Sequence, residues 1–204
     1  MTLDPSQPLN EADLDSDPLK QFADWFAQAR NAEISQPEAM ALATADAAGA
    51  PSVRMVLMKG FDERGFVFFT NHDSRKGADL HSNPRAALLF HWMPFGRQVR
   101  IEGTVAPITR DETAAYVRIR PRGSQLSALA SPQSQVVESR EALERRVAEL
   151  AARYPAELPV PERWGGFRVS PEMFEFWQHR EDRLHDRLRY TPDGDRWKIE
   201  RLAP

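Results

Sequence analysis

Apolar positions change their spacing along the chain, and the change divides it into two halves. Leu19, Phe22, Trp25, Phe26 and Ala29 recur at helical spacing after Asp17-Pro18. Asp17 is a good N-cap and Pro18 suits the first helical position, so the pattern predicts a helix from Pro18. A series of short apolar runs follows. Ala39 to Ala45, Ser52 to Met58, Phe66 to Thr70, Ala86 to Trp92 and Gln98 to Ile108 read as strands, with turns at Ala48-Gly49 and over Phe61 to Gly65. Asp73 or Ser74 can cap a short helix ending near Asn83-Pro84.

The second half is more helical. Arg110 to Arg120 reads as a helix stopped by Pro121, and Glu138 to Tyr154 as another, with Leu143, Val147, Leu150, Ala151 and Tyr154 on one face. The proline-rich stretch Tyr154 to Arg163 is a connection. Strands return at Gly166 to Val169, Met173 to Trp177, His185 to Tyr190 and Trp197 to Leu202. Strands joined by short turns suggest an antiparallel barrel or sandwich, and the early and late strands are expected to complete one sheet in a single α+β domain over residues 18–204. Residues 1–17, polar and acidic with Pro5 and Pro8, read as a mobile N-terminal tail without the features of a signal peptide.

Composition narrows the chemistry. The 204 residues carry a net charge of −3, so no global positive field argues for nucleic acid. No apolar run approaches the roughly 20 residues of a membrane helix. Cysteine is absent, which removes disulfides and thiolate chemistry and fits a cytoplasmic protein. The histidines at 72, 81, 91, 179 and 185 lack metal-site spacing, and no GxSxG, GxGxxG or Walker loop occurs. A phosphate cofactor would have to be held by side chains and helix ends.

Four clusters could do this. Arg183, His185 and Arg187 alternate with Leu184, Asp186 and Leu188, so in a strand they share one face. That run fits a solvated edge strand as well as an anion or cofactor site. Phe69-Thr70-Asn71 leads into Ser74-Arg75-Lys76, where cations stand in a first helical turn whose dipole they oppose. A bound phosphate explains that choice, and an exposed basic helix start is the plainer reading. Arg54 and Lys59 stand in the apolar run Arg54-Met55-Val56-Leu57-Met58-Lys59 and point to opposite faces if the strand is regular. They serve two anions or snorkel to solvent. Tyr116, Arg120 and Ser124 recur at i, i+4, i+8, but Pro121 interrupts the helix, so Ser124 is expected in the following turn.

Taken together and in order, these clusters resemble the pyridoxamine 5′-phosphate oxidase family. The resemblance includes Arg97-Gln98-Val99, Arg120-Pro121, Ser124-Gln125, Gln133-Ser134, Trp164-Gly165-Gly166, Glu175-Phe176-Trp177-Gln178 and Arg183-Leu184-His185-Asp186-Arg187, and runs from about Asp17 to Pro204. It implies an FMN-binding split β-barrel, mainly antiparallel, acting as a homodimer with FMN at the interface. Arg54, Arg75 and Lys76 would hold the FMN phosphate with Thr70, Ser74 and Ser134. Met55, Val56, Leu57, Phe69, Gln98, Gln133, Trp177 and Arg187 would contact the rest of the flavin. Lys59, Tyr116, Arg120 and Ser124 would hold the substrate phosphate, with the catalytic pair Arg183 and His185 over the substrate ring. The implied reaction oxidises pyridoxamine 5′-phosphate or pyridoxine 5′-phosphate to pyridoxal 5′-phosphate, with oxygen as acceptor and hydrogen peroxide as product. Phe69 stands where the family usually has tyrosine, and Ser127-Ala128-Leu129 replaces a usual Gly-Ala-Trp. Sister flavin oxidases, such as one in phenazine biosynthesis, share the C-terminal Arg-Leu-His run without needing a substrate-phosphate grip. A non-catalytic flavin or pyridoxal phosphate carrier would not need Arg183 and His185.

Overall fold

The computed structural model describes residues 7–204. Helix α1 spans Pro18–Asn31, and the Asp17 side chain accepts from the Leu19 N–H as the N-cap. Strands β1 (Ala39–Ala45), β2 (Pro51–Leu57), β3 (Gly60–Asp62) and β4 (Gly65–Asn71) follow, then helix α2 (Arg75–Ser82) and strands β5 (Arg85–Trp92) and β6 (Arg97–Pro107). Helices α3 (Arg110–Ile119), α4 (Arg122–Ala130) and α5 (Arg140–Arg153) form a block before β7 (Trp164–Gln178), β8 (Asp186–Asp193) and β9 (Arg196–Arg201).

All nine strands join one antiparallel sheet ordered β2-β1-β5-β6-β7-β4-β3, with β8 on β7 and β9 on β8. The sheet curls back on itself where β2 runs into β3. There the Lys59 N–H donates to the Val67 carbonyl at 2.8 Å. The class is the expected split barrel.

One long strand replaces the two expected over Gly166 to Trp177. Pro171 suggests a break, but it sits opposite Gly103, beside the irregularity where the register against β6 shifts, and a bulge is where a strand tolerates proline. A Cβ at Gly103 would lie 2.0 Å from the Ser170 carbonyl oxygen, so only glycine lets the strands approach there. The expected turn over Phe61 to Gly65 is shorter than predicted. Phe61 pairs with Phe66 in β3–β4, and its ring meets Phe22 edge-on at 5.0 Å, so core packing draws the segment into the sheet.

Phe22 and Trp25 of α1 anchor the core with Met40, Leu42, Phe66, Phe68, Phe90, Ile101, Phe174 and Phe176, all buried. A fully buried phenylalanine contributes roughly 1.5–3 kcal/mol, so this aromatic cluster dominates the barrel's stability. Helix α5 behaves differently. Its apolar face rests against α4 and none of its residues is fully buried.

Two further expectations change. Ser124 lies within helix α4, not in a turn. Pro121 ends α3 but opens a second helix, whose Leu126 and Ala130 are buried one turn apart. Of the stretch read as a tail, residues 1–6 fall outside the described residues. Residues 7–17 lie against the C-terminal strands: Leu9 is buried, its N–H donates to Asp186 at 3.1 Å, and the Tyr190 hydroxyl donates to the Asp15 carbonyl at 2.7 Å.

Candidate active site

The junction of β4 and α2 builds the first part of the site. β4 ends at Asn71, and Ser74 caps α2 by accepting from the Gly77 N–H at 3.3 Å while donating to the Asn71 carbonyl at 2.6 Å. Gly77 is required there, because a Cβ would meet the His72 carbonyl oxygen at 2.1 Å. The tight turn leaves Thr70, Ser74 and Lys76 converging. Lys76 Nζ donates to Thr70 Oγ1 at 3.1 Å, to Ser74 Oγ at 3.2 Å and to Gln133 Oε1 at 3.1 Å. The Thr70 hydroxyl donates to the same Gln133 oxygen at 2.9 Å.

Arg54 reaches this cluster from β2, through β1. Its guanidinium donates to Thr44 Oγ1 at 2.7 Å, Ser52 Oγ at 2.8 Å and the Leu42 carbonyl at 3.2 Å, and lies 3.7 Å from Asp79. Burial, followed by the charge of Arg54, lowers Lys76 to about 8, with Asp79 opposing. Burial likewise depresses Arg54, and the Arg75 charge adds to it against Asp79. Three cations thus crowd a helix N-terminus around one carboxylate, itself already bonded by Thr44 at 2.6 Å. Such a cluster is electrostatically short of an anion.

This has a pH consequence. A bound phosphate favours charged Lys76, so its pKa is higher in the complex than the value of about 8 in the ligand-free protein. Affinity for a phosphate ligand is therefore greatest below about pH 8 and falls as pH rises from there towards the pKa of the complex. For the ligand-free fold the sign reverses. The unfolded chain keeps the proton up to the ordinary lysine range, so stability rises with pH above about 8. Flavin titrations and thermal melts across this range, with and without ligand, check both slopes.

A second grip lies beside the first. Arg120, Ser124, Ser127, Ala128 and Ser131 line a cavity of about 220 Å³ with Asn71, Gln133 and Trp164. Gln133 and Asn71 are the shared border, because the oxygen of Gln133 already serves Lys76 and Thr70. The Arg120 guanidinium lies over the Trp164 ring at 4.6 Å, and its Nη1 is buried without a hydrogen-bond acceptor among the described residues. A buried guanidinium donor without an acceptor is costly unless a ligand supplies one. Tyr116 joins from α3 by stacking on Phe69 at 3.9 Å, and Phe69 stacks on Trp164 at 5.4 Å. The ring of Phe69 thus has a packing role although it lacks a hydroxyl.

The third part is a row across three strands. Gln98 of β6 pairs with Trp177 of β7, which pairs with Arg187 of β8. Arg187 Nε donates to Glu175 Oε1 at 2.7 Å, a bond that raises the guanidinium's pKa. The His185 ring lies 4.7 Å from that of Trp177.

The expectation that Arg183, His185 and Arg187 line one strand face is not met. β8 begins at Asp186, so only Arg187 of the three is in the strand. Arg183 is exposed at the end of a short 3₁₀ turn with φ +64°, and His185 precedes the strand. The Arg180 N–H donates to His185 Nδ1 at 3.1 Å, which leaves Nε2 as the nitrogen available to a ligand.

The face argument for Arg54 and Lys59 also changes its basis. Lys59 lies beyond the end of β2, exposed at the barrel closure, and does not line the Arg120 cavity. Met55 is 65% exposed on the outer edge strand, while Val56 and Leu57 are half-buried. Ser134 sits in the turn after Gln133 with φ +71°. Asn71, named only as part of the Phe69-Thr70-Asn71 run, and Ser131, which no motif marks, also line the second grip. Their only signal is proximity to Thr70 and Gln133.

The curled antiparallel barrel is a split barrel, and it carries two adjacent cationic, hydroxyl-rich clusters. Comparison with known proteins resolves the class. The family described as "Pyridoxamine 5′-phosphate oxidase" matches residues 26–154, and the "Pyridoxine 5′-phosphate oxidase C-terminal dimerisation region" matches residues 164–204. The chain is 57% identical over 188 residues to the pyridoxine/pyridoxamine 5′-phosphate oxidase of Bordetella petrii, covering 92% of this chain and 89% of that protein. It is 54% identical over 197 residues to the same-named protein of Rubrobacter xylanophilus, covering 96% and 91%. Among solved structures, PhzG from Burkholderia lata in complex with tetrahydrophenazine-1-carboxylic acid superposes with a TM-score of 0.92 at 36% identity, covering 98% of this chain and 100% of that one. The chain belongs to the pyridoxamine 5′-phosphate oxidase family, and it is an enzyme, a flavoprotein oxidoreductase.

Proposed function

We propose that the chain catalyses FMN-dependent oxidation of pyridoxamine 5′-phosphate and pyridoxine 5′-phosphate to pyridoxal 5′-phosphate in the cytoplasm, with oxygen as electron acceptor and hydrogen peroxide as product. This is the last step of pyridoxal 5′-phosphate biosynthesis and salvage. The observation that carries the reading is the pairing of two distinct anion grips, one for a cofactor phosphate and one, at the unsatisfied Arg120, for a substrate phosphate.

The residues fit FMN. Arg54, Arg75 and Lys76 supply charge, and Thr70 and Ser134 supply hydroxyls for its phosphate, while Ser74 caps the helix whose N-terminus faces it. Met55, Val56, Leu57, Phe69, Gln98, Gln133, Trp177 and Arg187 receive the rest of the flavin. Bound FMN supplies the hydride acceptor; the protein supplies orientation and charge. Lys59, Tyr116, Arg120 and Ser124 hold the substrate phosphate, while Arg183 and His185 lie over the pyridine ring. His185 presents Nε2, its Nδ1 being held by the Arg180 N–H.

In one chain, Lys59, Tyr116, Arg183 and His185 do not line the Arg120 cavity, and Tyr116 reaches it only through its stack on Phe69. A homodimer that places FMN at the interface completes the site. Val53, Met55 and Leu184, between 65% and 71% exposed, are apolar surfaces that a second copy would cover.

Oxygen uptake and peroxide release test the reading. Pyridoxine 5′-phosphate and pyridoxamine 5′-phosphate are expected to turn over, and unphosphorylated pyridoxine to be a far poorer substrate. Turnover of tetrahydrophenazine-1-carboxylic acid in place of both phosphates would overturn it.

A further inference from the structure

Asp186 stands between His185 and Arg187 but faces away from them, with its side chain only 12% exposed. Its carboxylate gathers three segments that are far apart in sequence. The Leu9 N–H donates to Oδ2 at 3.1 Å, Arg201 donates to Oδ1 at 2.6 Å, and Arg180 Nε lies 3.7 Å from Oδ2. Arg201 is itself fixed, donating to the Leu9 carbonyl at 2.8 Å and to Glu11 at 3.0 Å. Arg180 then acts at both of its ends. Its guanidinium lies against Asp186, and its main-chain N–H holds His185 Nδ1 at 3.1 Å.

The loop between these points carries uncommon backbone. Asp182 and Arg183 have φ of +53° and +64°, left-handed values that non-glycine residues keep only where the surroundings impose them. Arg183 and Leu184 are exposed and supply no such packing. Within the loop the Leu184 N–H donates to the Glu181 carbonyl at 3.2 Å; the loop is also held at its two ends, where Arg180 lies against Asp186 and Asp186 opens β8.

We infer that Asp186 is a positioning residue for the substrate loop: pinned by Leu9 and Arg201, it holds Arg180, which orients His185 and fixes the path of Arg183. This rests on the proposed role of Arg183 and His185 over the substrate.

Asp186→Asn in the full-length FMN-loaded protein tests it, because the amide keeps the size and removes the charge. With pyridoxine 5′-phosphate, kcat is expected to fall roughly tenfold or more, while KM and flavin content stay within about threefold of the parent, since the phosphate grips are untouched. Hydrogen exchange of amides 180–185 is expected to quicken roughly tenfold with β6 and β7 unchanged. In a His185→Ala background the same substitution should cost clearly less than in the parent, because the part of its effect that runs through His185 is already lost and only the part through Arg183 remains. Arg180→Ala, on a half-buried side chain, should reproduce the kcat and exchange changes; Glu144→Gln, in an exposed ion pair of α5 outside the Asp186 network, should not.

Unchanged exchange over 180–185, or full additivity with His185→Ala, overturns the inference. If the unmodified protein fails to oxidise pyridoxine 5′-phosphate, the proposed function fails instead, and the exchange experiment still decides whether Asp186 holds the loop.

Discussion

Lys76→Met is expected to weaken FMN binding about 100-fold and, at the same time, to raise the melting temperature of the flavin-free protein. Lys76 is half-buried, and its partners Thr70, Ser74 and Gln133 are all neutral. Burial and Arg54 hold it at about 8, so at neutral pH the fold carries an ammonium it would rather not charge. A methionine of similar length removes the cost of charging that site, so the flavin-free fold is expected to gain stability. The phosphate, in contrast, loses a charge-assisted bond in a protected site, a loss of about 2–3 kcal/mol. Flavin fluorescence titration and thermal melts give the two signs separately. Unchanged flavin affinity would remove Lys76 from the cofactor grip.

Arg120→Ala is expected to act on the other grip alone. KM for pyridoxine 5′-phosphate should rise roughly 30- to 160-fold, corresponding to about 2–3 kcal/mol for a desolvated charged contact. Flavin content should remain near that of the parent protein. Among the described residues Arg120 makes no bond to Lys76, Thr70 or Ser74 and its Nη1 has no acceptor, so removing it leaves no stranded partner there. Arg120 also rests on Trp164 at 4.6 Å, so some loss of packing accompanies the change. Steady-state kinetics beside the flavin-to-protein absorbance ratio separate the outcomes. Loss of flavin would mean that the two phosphate positions have been exchanged.

The fold was legible where local signals and packing agree. Asp17-Pro18 starts α1 as expected, Ser74 caps α2, and β1, β4, β5 and β6 lie where their apolar runs predict. Errors fall where tertiary contact overrides a local signal. Pro171 looks like a break until Gly103 is seen opposite it. Phe61 looks like part of a turn until Phe22 receives its ring. Helix α4 follows a proline and has no side-chain cap, so little in Arg122 to Ala130 announces it.

The site shows the same division. Thr70, Ser74 and Lys76 are close in sequence, and their convergence followed from strand-turn-helix physics. Gln133 meets them across 57 or more residues, which only the family resemblance anticipated. Alternation put Arg183 and His185 on a strand with Arg187, but the ladder starts at Asp186, and their placement depends on Arg180 and the chain termini. No short-range pattern carries that information.

The most direct test of the two-grip account is anaerobic mixing of the FMN-loaded protein with pyridoxine 5′-phosphate, followed by admission of air. The account predicts that the yellow flavin absorbance bleaches on mixing, that pyridoxal 5′-phosphate appears in proportion, and that the colour returns with hydrogen peroxide when oxygen enters. A flavin that stays oxidised while pyridoxine 5′-phosphate is bound would contradict it.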